Sequence, residues 1–225
     1  MVRATCSSAG DKPISWTNEA WNGDPSGEVT LEFEGYTWAV KRDVVVAQFP
    51  WIKAAMATTK PGCQVVVHPC AFMGICPRLF SALLQYLHTN ELPSNLWEDQ
   101  PSFLTFVNMY YVAERFGMTR LKLSMIKCVD RLARHVLSLP EHHCSHCPLA
   151  QQADPDWEER QHLASLLRAV LVVEEQPWSA KMIKAVYDAG DRMKIRLMRL
   201  PEFCDFVERF AVGNNFARAI GMHRL

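Results

Sequence analysis

The chain has 225 residues, of which 49% are hydrophobic, and it carries 24 basic and 24 acidic residues. A chain of this length and hydrophobic content can bury one substantial core and a smaller appendage, which excludes disorder throughout. Because the net charge is +0, no overall positive field attracts a phosphate backbone or an anionic membrane. We therefore expect no nucleic acid partner.

The longest apolar runs, such as 44–47 and 169–173, are far shorter than the roughly 20 residues that span a bilayer. Arg3 is followed by no apolar run, so we predict no secretory signal. The eight cysteines lack the density of a small disulfide scaffold. We expect reduced thiols, no membrane contact and a cytoplasmic or nuclear location.

Residues 1–27 are rich in Ser, Gly, Asp, Asn and Pro and show neither helical nor strand periodicity. This composition predicts a flexible N-terminal arm.

The segment that follows predicts a hairpin and then short helices. Helical spacing after Lys41 is broken near Pro50, which suits the first turn of a second helix. A third strand is expected at 65–67, after a loop with Pro61 and Gly62. The hairpin itself is predicted because apolar residues alternate with others on both sides of Gly35, at Val29, Leu31 and Phe33 and then at Tyr36, Trp38 and Val40.

Amphipathic helices account for most of the remaining chain. One begins near Pro77, a second near Phe103 is stopped by Gly117, and a third ends before Pro140. Among their apolar residues we expect four in the core: Phe80, Leu84, Phe106 and Tyr110. Residues 138–160 break every periodicity and predict a linker. Three further amphipathic helices are expected in 161–225.

The order of these segments resembles a BTB/POZ domain over roughly residues 28–137. The resemblance rests on the hairpin and valine-rich helix of 28–56, on the helix and turn CPRLFSALLQYLHTNEL of 76–92, and on the helix pair FLTFVNMYYVAERFGMTRLK of 103–122. Asn90 stands where the family commonly has glycine, and asparagine is the second-best residue for a left-handed turn. Other departures from the family's pattern are Lys41, Phe49 and His88.

The resemblance implies an α+β fold, with a three-stranded sheet flanked by a helical cluster and followed by an α-helical C-terminal extension. It divides the chain into an N-terminal arm at 1–27, a BTB/POZ-like domain at 28–137, a linker at 138–160 and a helical extension at 161–225. This layout is similar to that of orphan BTB proteins of filamentous fungi. The function that the resemblance implies is a non-enzymatic scaffold or adaptor that associates with itself or with protein partners. The resemblance also implies that strand-exchanged dimers donate an ordered N-terminal helix and strand to the partner. Because residues 1–27 show neither period, we expect any self-association to use an apolar helical face instead.

A substrate adaptor of a cullin-type ubiquitin ligase is the main alternative. The resemblance implies that the loop after the second short helix contacts the cullin, through an apolar residue followed two positions later by an acid. Met56, Thr58 and Lys60 lie in the matching stretch, which has the apolar residue and no acid. Met109 and Met118 are candidates for an adaptable binding surface, although methionine at helical spacing is more often in the core.

The cluster His-His-Cys-Ser-His-Cys at 142–147 is the densest group of chemically active residues. Cys144 and Cys147 have the spacing with which two thiolates bind one zinc, and His135 and His162 are the nearest residues that could complete four ligands. A solvated loop with reduced thiols is the simpler interpretation. We therefore expect no tightly held metal in this loop and no cofactor, and a zinc-binding protein is the remote alternative.

No motif for an enzyme is apparent. We find no serine in a glycine-flanked elbow and no glycine-rich loop that would cradle a phosphate. The paired acids Glu158 and Glu159, and likewise Glu174 and Glu175, are expected to lie on solvated faces of helices. The sequence therefore predicts that the chain is not an enzyme.

Overall fold

A computed structural model describes residues 3–5, 29–49, 52–54, 64–66, 76–92, 101–139, 156–175 and 179–222. The chain divides into two compact units, Met1–Gln100 and Pro101–Leu225. The first unit combines strands and helices, whereas the described part of the second is helical. The fold class is therefore α+β, as the sequence predicts.

Four described strands form one sheet: β1 (Arg3–Thr5), β2 (Val29–Phe33), β3 (Tyr36–Val40) and β4 (Gln64–Val66). Their order is β1-β4-β2-β3, with β4 parallel to β2 and the other two pairs antiparallel. The sheet thus has four strands rather than the predicted three. β1 corrects the prediction of a flexible arm at its own three residues, because a strand this short is too brief to show a period in the sequence.

The hairpin β2–β3 is confirmed, and its turn explains its register. Glu34 and Gly35 both have positive φ, at 51° and 82°, which is the geometry of a two-residue turn whose twist matches that of the flanking strands. The register pairs Leu31 with Trp38. Both of these side chains are buried, so the alternation of apolar residues does mark the face that the hairpin turns inward.

Two described helices accompany the sheet, α1 (Arg42–Gln48) and α2 (Pro77–Thr89), and residues 52–54 are also helical. Pro77 lies in the first turn of α2, and Asn90 ends it with a left-handed φ of 60°. Phe80 is fully buried, with its ring centroid 5.0 Å from that of Phe33 and 5.2 Å from that of Trp38. These aromatic contacts attach α2 to the hairpin.

Two departures from the BTB/POZ pattern contact each other in this unit. His88, in the last turn of α2, accepts a hydrogen bond at Nε2 from the backbone N–H of Lys41 at 3.1 Å. Its Nδ1 lies 2.8 Å from the carbonyl oxygen of Leu84 and therefore donates. The histidine thus ties the end of β3 to α2 through one defined tautomer.

The described residues of the second unit form seven helices. α3 packs against α4 and α5, and both α4 and α5 pack against α6, while α9 packs against α5. Met109, Phe106 and Tyr110 of α3 lie in the resulting core. The helices are α3 (Phe103–Arg115), α4 (Thr119–Ser138), α5 (Asp156–Glu175), α6 (Ala180–Arg192), α7 (Lys194–Met198), α8 (Pro201–Arg209) and α9 (Ala211–Ala219).

The division between the compact units differs from the predicted end of the first domain at 137. It falls between Gln100 and Pro101, because α3 and α4 pack against α5 and α6 of the extension. α5 also begins at Asp156, inside the predicted linker. The stripe of an amphipathic helix indicates that it packs on something, but it does not indicate which neighbour covers it. None of the described helices is both long enough and apolar enough to cross a membrane.

Candidate metal centre

Five of the residues singled out by the sequence lie outside the described residues. They are the three residues of the stretch matched to a cullin-contact loop and the two cysteines of the 142–147 cluster: Met56, Thr58, Lys60, Cys144 and Cys147. The predictions made for them stay predictions.

Met109 and Met118 are both described and both buried, with 0% and 7% of their surface exposed. Met109 belongs to α3, and Met118 lies directly before α4. A buried side chain offers no accessible surface to a partner. Their positions therefore match the interpretation of these residues as core, and not as a binding surface.

His135 and His162 are brought together, although 27 positions separate them in the sequence. His135 lies in the last turn of α4, and His162 lies in the second turn of α5. Their ring centroids are 5.9 Å apart and nearly perpendicular, at 83°. Glu158 is four residues before His162 on the same helix, a spacing that places both side chains on one face. We call these three residues the His-Glu-His cluster.

One carboxylate oxygen of Glu158 lies between the two histidines. His135 Nε2 is 3.3 Å from Glu158 Oε1, and His162 Nε2 is 3.6 Å from the same oxygen. The three atoms that could bind a metal all lie within 4.8 Å of one another. The side chains of His135 and Glu158 are about half exposed, so the cluster is open to solvent on one side and closed by His162 on the other.

His162 has an unusual environment for a histidine. It is only 5% exposed, and Nε2 has no hydrogen-bond partner among the described residues. The ring has a backbone hydrogen bond with Pro101. Because proline has no N–H, the ring must donate this bond to the carbonyl, and because Nε2 is unpartnered, the donor must be Nδ1. Nε2 faces Glu158, whose Oε1 is 3.6 Å away, which is longer than a normal hydrogen bond.

Burial also controls the protonation of this ring. Desolvation lowers the pKa of His162, and the smaller opposing effect is that of the Glu158 carboxylate, which raises it. The neighbouring His135 lowers the pKa further. His162 is thus held in its neutral form, which is the form that can bind a metal.

Hydrogen bonds at the start of α3 help to hold His162 in place. The hydroxyl of Ser165 donates to the carbonyl of His162 at 3.1 Å and accepts the backbone N–H of Phe103 at 3.0 Å. The N-terminus of α3 is thus capped by a side chain of α5, one turn after the histidine. This contact holds the Pro101 carbonyl near the ring.

A second polar group lies beside the cluster. Arg196 of α7 is 5% exposed, and its guanidinium is 3.1 Å from a carboxylate oxygen of Glu159. The same guanidinium donates to three carbonyls at the end of α4, those of Val136 at 2.8 Å, Leu137 at 3.0 Å and Leu139 at 2.9 Å. We call this group the Arg196 cap.

The expectation that the paired acids lie on solvated helix faces is wrong for Glu159 and holds for Glu158 and Glu175, whereas Glu174 is half-buried. Glu159 is paired with Arg196, and Glu158 faces the two histidines. Glu174 accepts a hydrogen bond from the hydroxyl of Tyr187, which lies on α6. Glu175 is exposed as expected, and so is Glu158. Glu158 is the site residue that the sequence analysis missed, and its signal was the spacing of four to His162.

The three described cysteines are free thiols. Cys128 is buried within α4, and this burial raises the pKa of its thiol to about 11, so it stays protonated at neutral pH. Cys76 and Cys204 are exposed. None of the three belongs to the His-Glu-His cluster, which is the one group of three metal-binding side chains found among the described residues.

In comparisons with known proteins, no family model matches this chain, and no curated protein or solved structure is significantly similar to it. The resemblance to a BTB/POZ domain therefore stays a prediction. The argument about function rests on the geometry of the two units themselves.

Proposed function

We propose that the chain is a non-enzymatic scaffold or adaptor of the BTB/POZ type, which acts in the cytoplasm or nucleus by binding protein partners or a second copy of itself. The observation that carries this proposal is the order in which the strands and helices of the first unit are connected. The hairpin β2–β3 leads through α1 to β4, which returns parallel to β2 and places three of the four strands in the order β4-β2-β3. α2 then covers this sheet through Phe80.

The turn chemistry supports the same proposal. In the resemblance, Asn90 replaces a glycine, and its φ of 60° is the left-handed conformation that makes such a glycine useful. Gly117, with a φ of 68°, separates α3 from α4 in the same way. Asn90 and Gly117 both lie within the segments on which the resemblance rests, 76–92 and 103–122.

A surface for partners is available on the helical unit. Ile195 and Met198 of α7 are about half exposed, and they are three positions apart, so they share a face of this short helix. Exposed apolar side chains that share a face favour contact with another protein over contact with water. This helical face suits the mode of association that the sequence predicts.

Affinity capture of the full chain, combined with light scattering, tests the proposal. We expect stoichiometric protein partners or a stable oligomer for the unmodified chain, and reduced association for Ile195→Lys with Met198→Lys. Lys181→Ala, an exposed substitution on α6, is the matched control and should change nothing. A monomer that captures no specific partner would contradict the proposal.

A related experiment tests the alternative that the chain is a substrate adaptor of a cullin-type ubiquitin ligase. A charged contact missing from a partly buried interface costs about 2–5 kcal/mol, or roughly thirtyfold or more in affinity. Because Met56 is followed by Thr58 and not by an acid, we expect weak or no binding to a BTB-specific cullin by calorimetry, and improved binding for Thr58→Glu. Sub-micromolar binding of the unmodified chain would instead favour the ligase adaptor.

A further inference from the structure

We propose that His135, Glu158 and His162 bind one zinc ion that joins the end of α4 to the first turns of α5. On a tetrahedral zinc ion with bonds of about 2.0–2.2 Å, two ligand atoms lie roughly 3.3–3.5 Å apart. The Nε2 atoms of the two histidines are 3.3 Å and 3.6 Å from Glu158 Oε1. All three atoms lie within 4.8 Å of one another, so the exposed side chains of His135 and Glu158 would rotate to bring the three atoms onto one ion.

The buried histidine is the strongest sign of a ligand. A buried polar atom with no partner destabilises a fold by an amount comparable to a lost hydrogen bond, so such atoms are rare. His162 Nε2 is such an atom. It lies 3.6 Å from Glu158 Oε1 and within 4.8 Å of the ligand atom of His135, and a cation placed among these three atoms would give it a partner.

The surroundings of His162 are those of a metal ligand. Histidines that bind a metal usually donate their other ring N–H to a carbonyl or carboxylate, which sets the tautomer and the ring orientation. His162 has this arrangement through the carbonyl of Pro101. The capping contact of Ser165 with Phe103 holds that segment in place at 3.0 Å.

The electrostatics also favour a cation. His135 lies in the last turn of the 20-residue helix α4, where the carbonyls already accept hydrogen bonds from Arg196 and from the hydroxyl of Ser138. The Arg196 cap lies on the same helix end but is already paired with Glu159 at 3.1 Å. The charge of Glu158 therefore remains available, and it is the one carboxylate of the cluster.

The ligand set selects the kind of ion. Two imidazoles and one carboxylate suit zinc and other divalent transition metals, whereas magnesium and calcium prefer oxygen ligands. Three protein ligands leave a fourth position on zinc open to water or to a further donor. Because the ion would connect two helices, its binding would stabilise the helical unit.

Calorimetric titration of the full, tag-free chain with zinc chloride after chelator treatment tests the proposal. We expect one zinc per chain. His135→Gln and Glu158→Gln change exposed side chains and should leave the circular dichroism unchanged. Loss of a residue that only supports a metal ligand weakens metal binding by about 10–100-fold. Each of these two variants removes a ligand itself and should weaken zinc binding by more than that. Glu175→Gln, at the exposed end of the same helix, should bind zinc as the unmodified chain does.

The decisive alternative is that zinc is bound by Cys144 and Cys147 and not by the His-Glu-His cluster. If zinc is held by that pair alone, Glu158→Gln will keep its affinity while Cys144→Ser with Cys147→Ser loses it, and this result would overturn the proposal. Absence of zinc binding by the unmodified chain would overturn it equally. Cobalt substitution gives a second readout, because ligation by the cluster should produce visible absorption that is lost in Glu158→Gln.

Discussion

The Arg196 cap and the His-Glu-His cluster lie side by side at the end of α4, and they differ in how completely their polar atoms are paired. Arg196 meets three carbonyls and the carboxylate of Glu159, so the cap is a closed set of donors and acceptors. The buried Nε2 of His162 has no partner within hydrogen-bond distance in the part of the chain that the structure describes. Two adjacent acids, Glu158 and Glu159, therefore belong to groups of different kinds.

This difference separates a structural contact from a candidate site. A fully paired buried charge stabilises the native arrangement, and removing one of its partners leaves the others unpaired. An unpaired buried atom destabilises the fold until it finds a partner, and beside two exposed ligands it is available to a cation. Each prediction below tests one side of this comparison.

The largest effect is expected from Arg196→Met. The substitution keeps much of the apolar stem but leaves the carbonyls of Val136, Leu137 and Leu139 and the carboxylate of Glu159 without their donor. Breaking a buried ion pair of this kind typically costs about 3–5 kcal/mol of the free energy of unfolding. Urea denaturation measures this loss in the free energy of unfolding. A loss under about 1 kcal/mol would mean that the Arg196 cap does not stabilise the end of α4.

A smaller effect is expected from acid in the metal-free chain. Burial lowers the pKa of His162, so below about 6.5 the unfolded state takes up a proton that the folded state does not. The free energy of unfolding should therefore fall as the pH falls from about 6.5 towards the lowered pKa, by at most about 1.4 kcal/mol per pH unit for this one group. Plots of the free energy of unfolding against pH should differ between the unmodified chain and His162→Leu in this window. Identical slopes would contradict the lowered pKa of His162.

A still smaller change in stability at neutral pH is expected from His162→Leu itself. The substitution removes the hydrogen bond to Pro101, but it also removes a buried Nε2 that has no partner. These two effects oppose each other, and each amounts to about 1–3 kcal/mol. We expect a net change within about 1 kcal/mol by denaturation, together with loss of zinc binding. A loss as large as that of Arg196→Met would instead make His162 part of a closed structural network.

Local patterns in the sequence predict much of the fold. The alternation in β2 and β3, Pro77 at the start of α2 and Asn90 at its end all act within a few residues, and each is found as expected. The core is predicted as well, because Phe80, Leu84, Phe106 and Tyr110 are all buried. Such features depend on backbone geometry and periodicity, which a single sequence displays.

The remaining features depend on contacts between distant parts of the chain. Arg196 reaches carbonyls about 60 positions away, and His135 meets Glu158 across 23 positions. No local pattern encodes such pairs. The sequence analysis did name both histidines, but it paired them with Cys144 and Cys147 and assigned Glu158 to a linker, because the proline-rich stretch before it hides the start of α5 at Asp156.

The most direct test compares Glu158→Gln with Glu159→Gln by melting temperature, measured with and without zinc. Glu159→Gln should lower stability by about 1–3 kcal/mol, because it removes the charged partner of Arg196, and it should keep the rise in melting temperature that zinc produces. Glu158→Gln should change stability in the absence of zinc by less than about 0.5 kcal/mol and should abolish that rise. If the two variants respond to zinc alike, the closed cap and the open cluster are not distinct, and the account is contradicted.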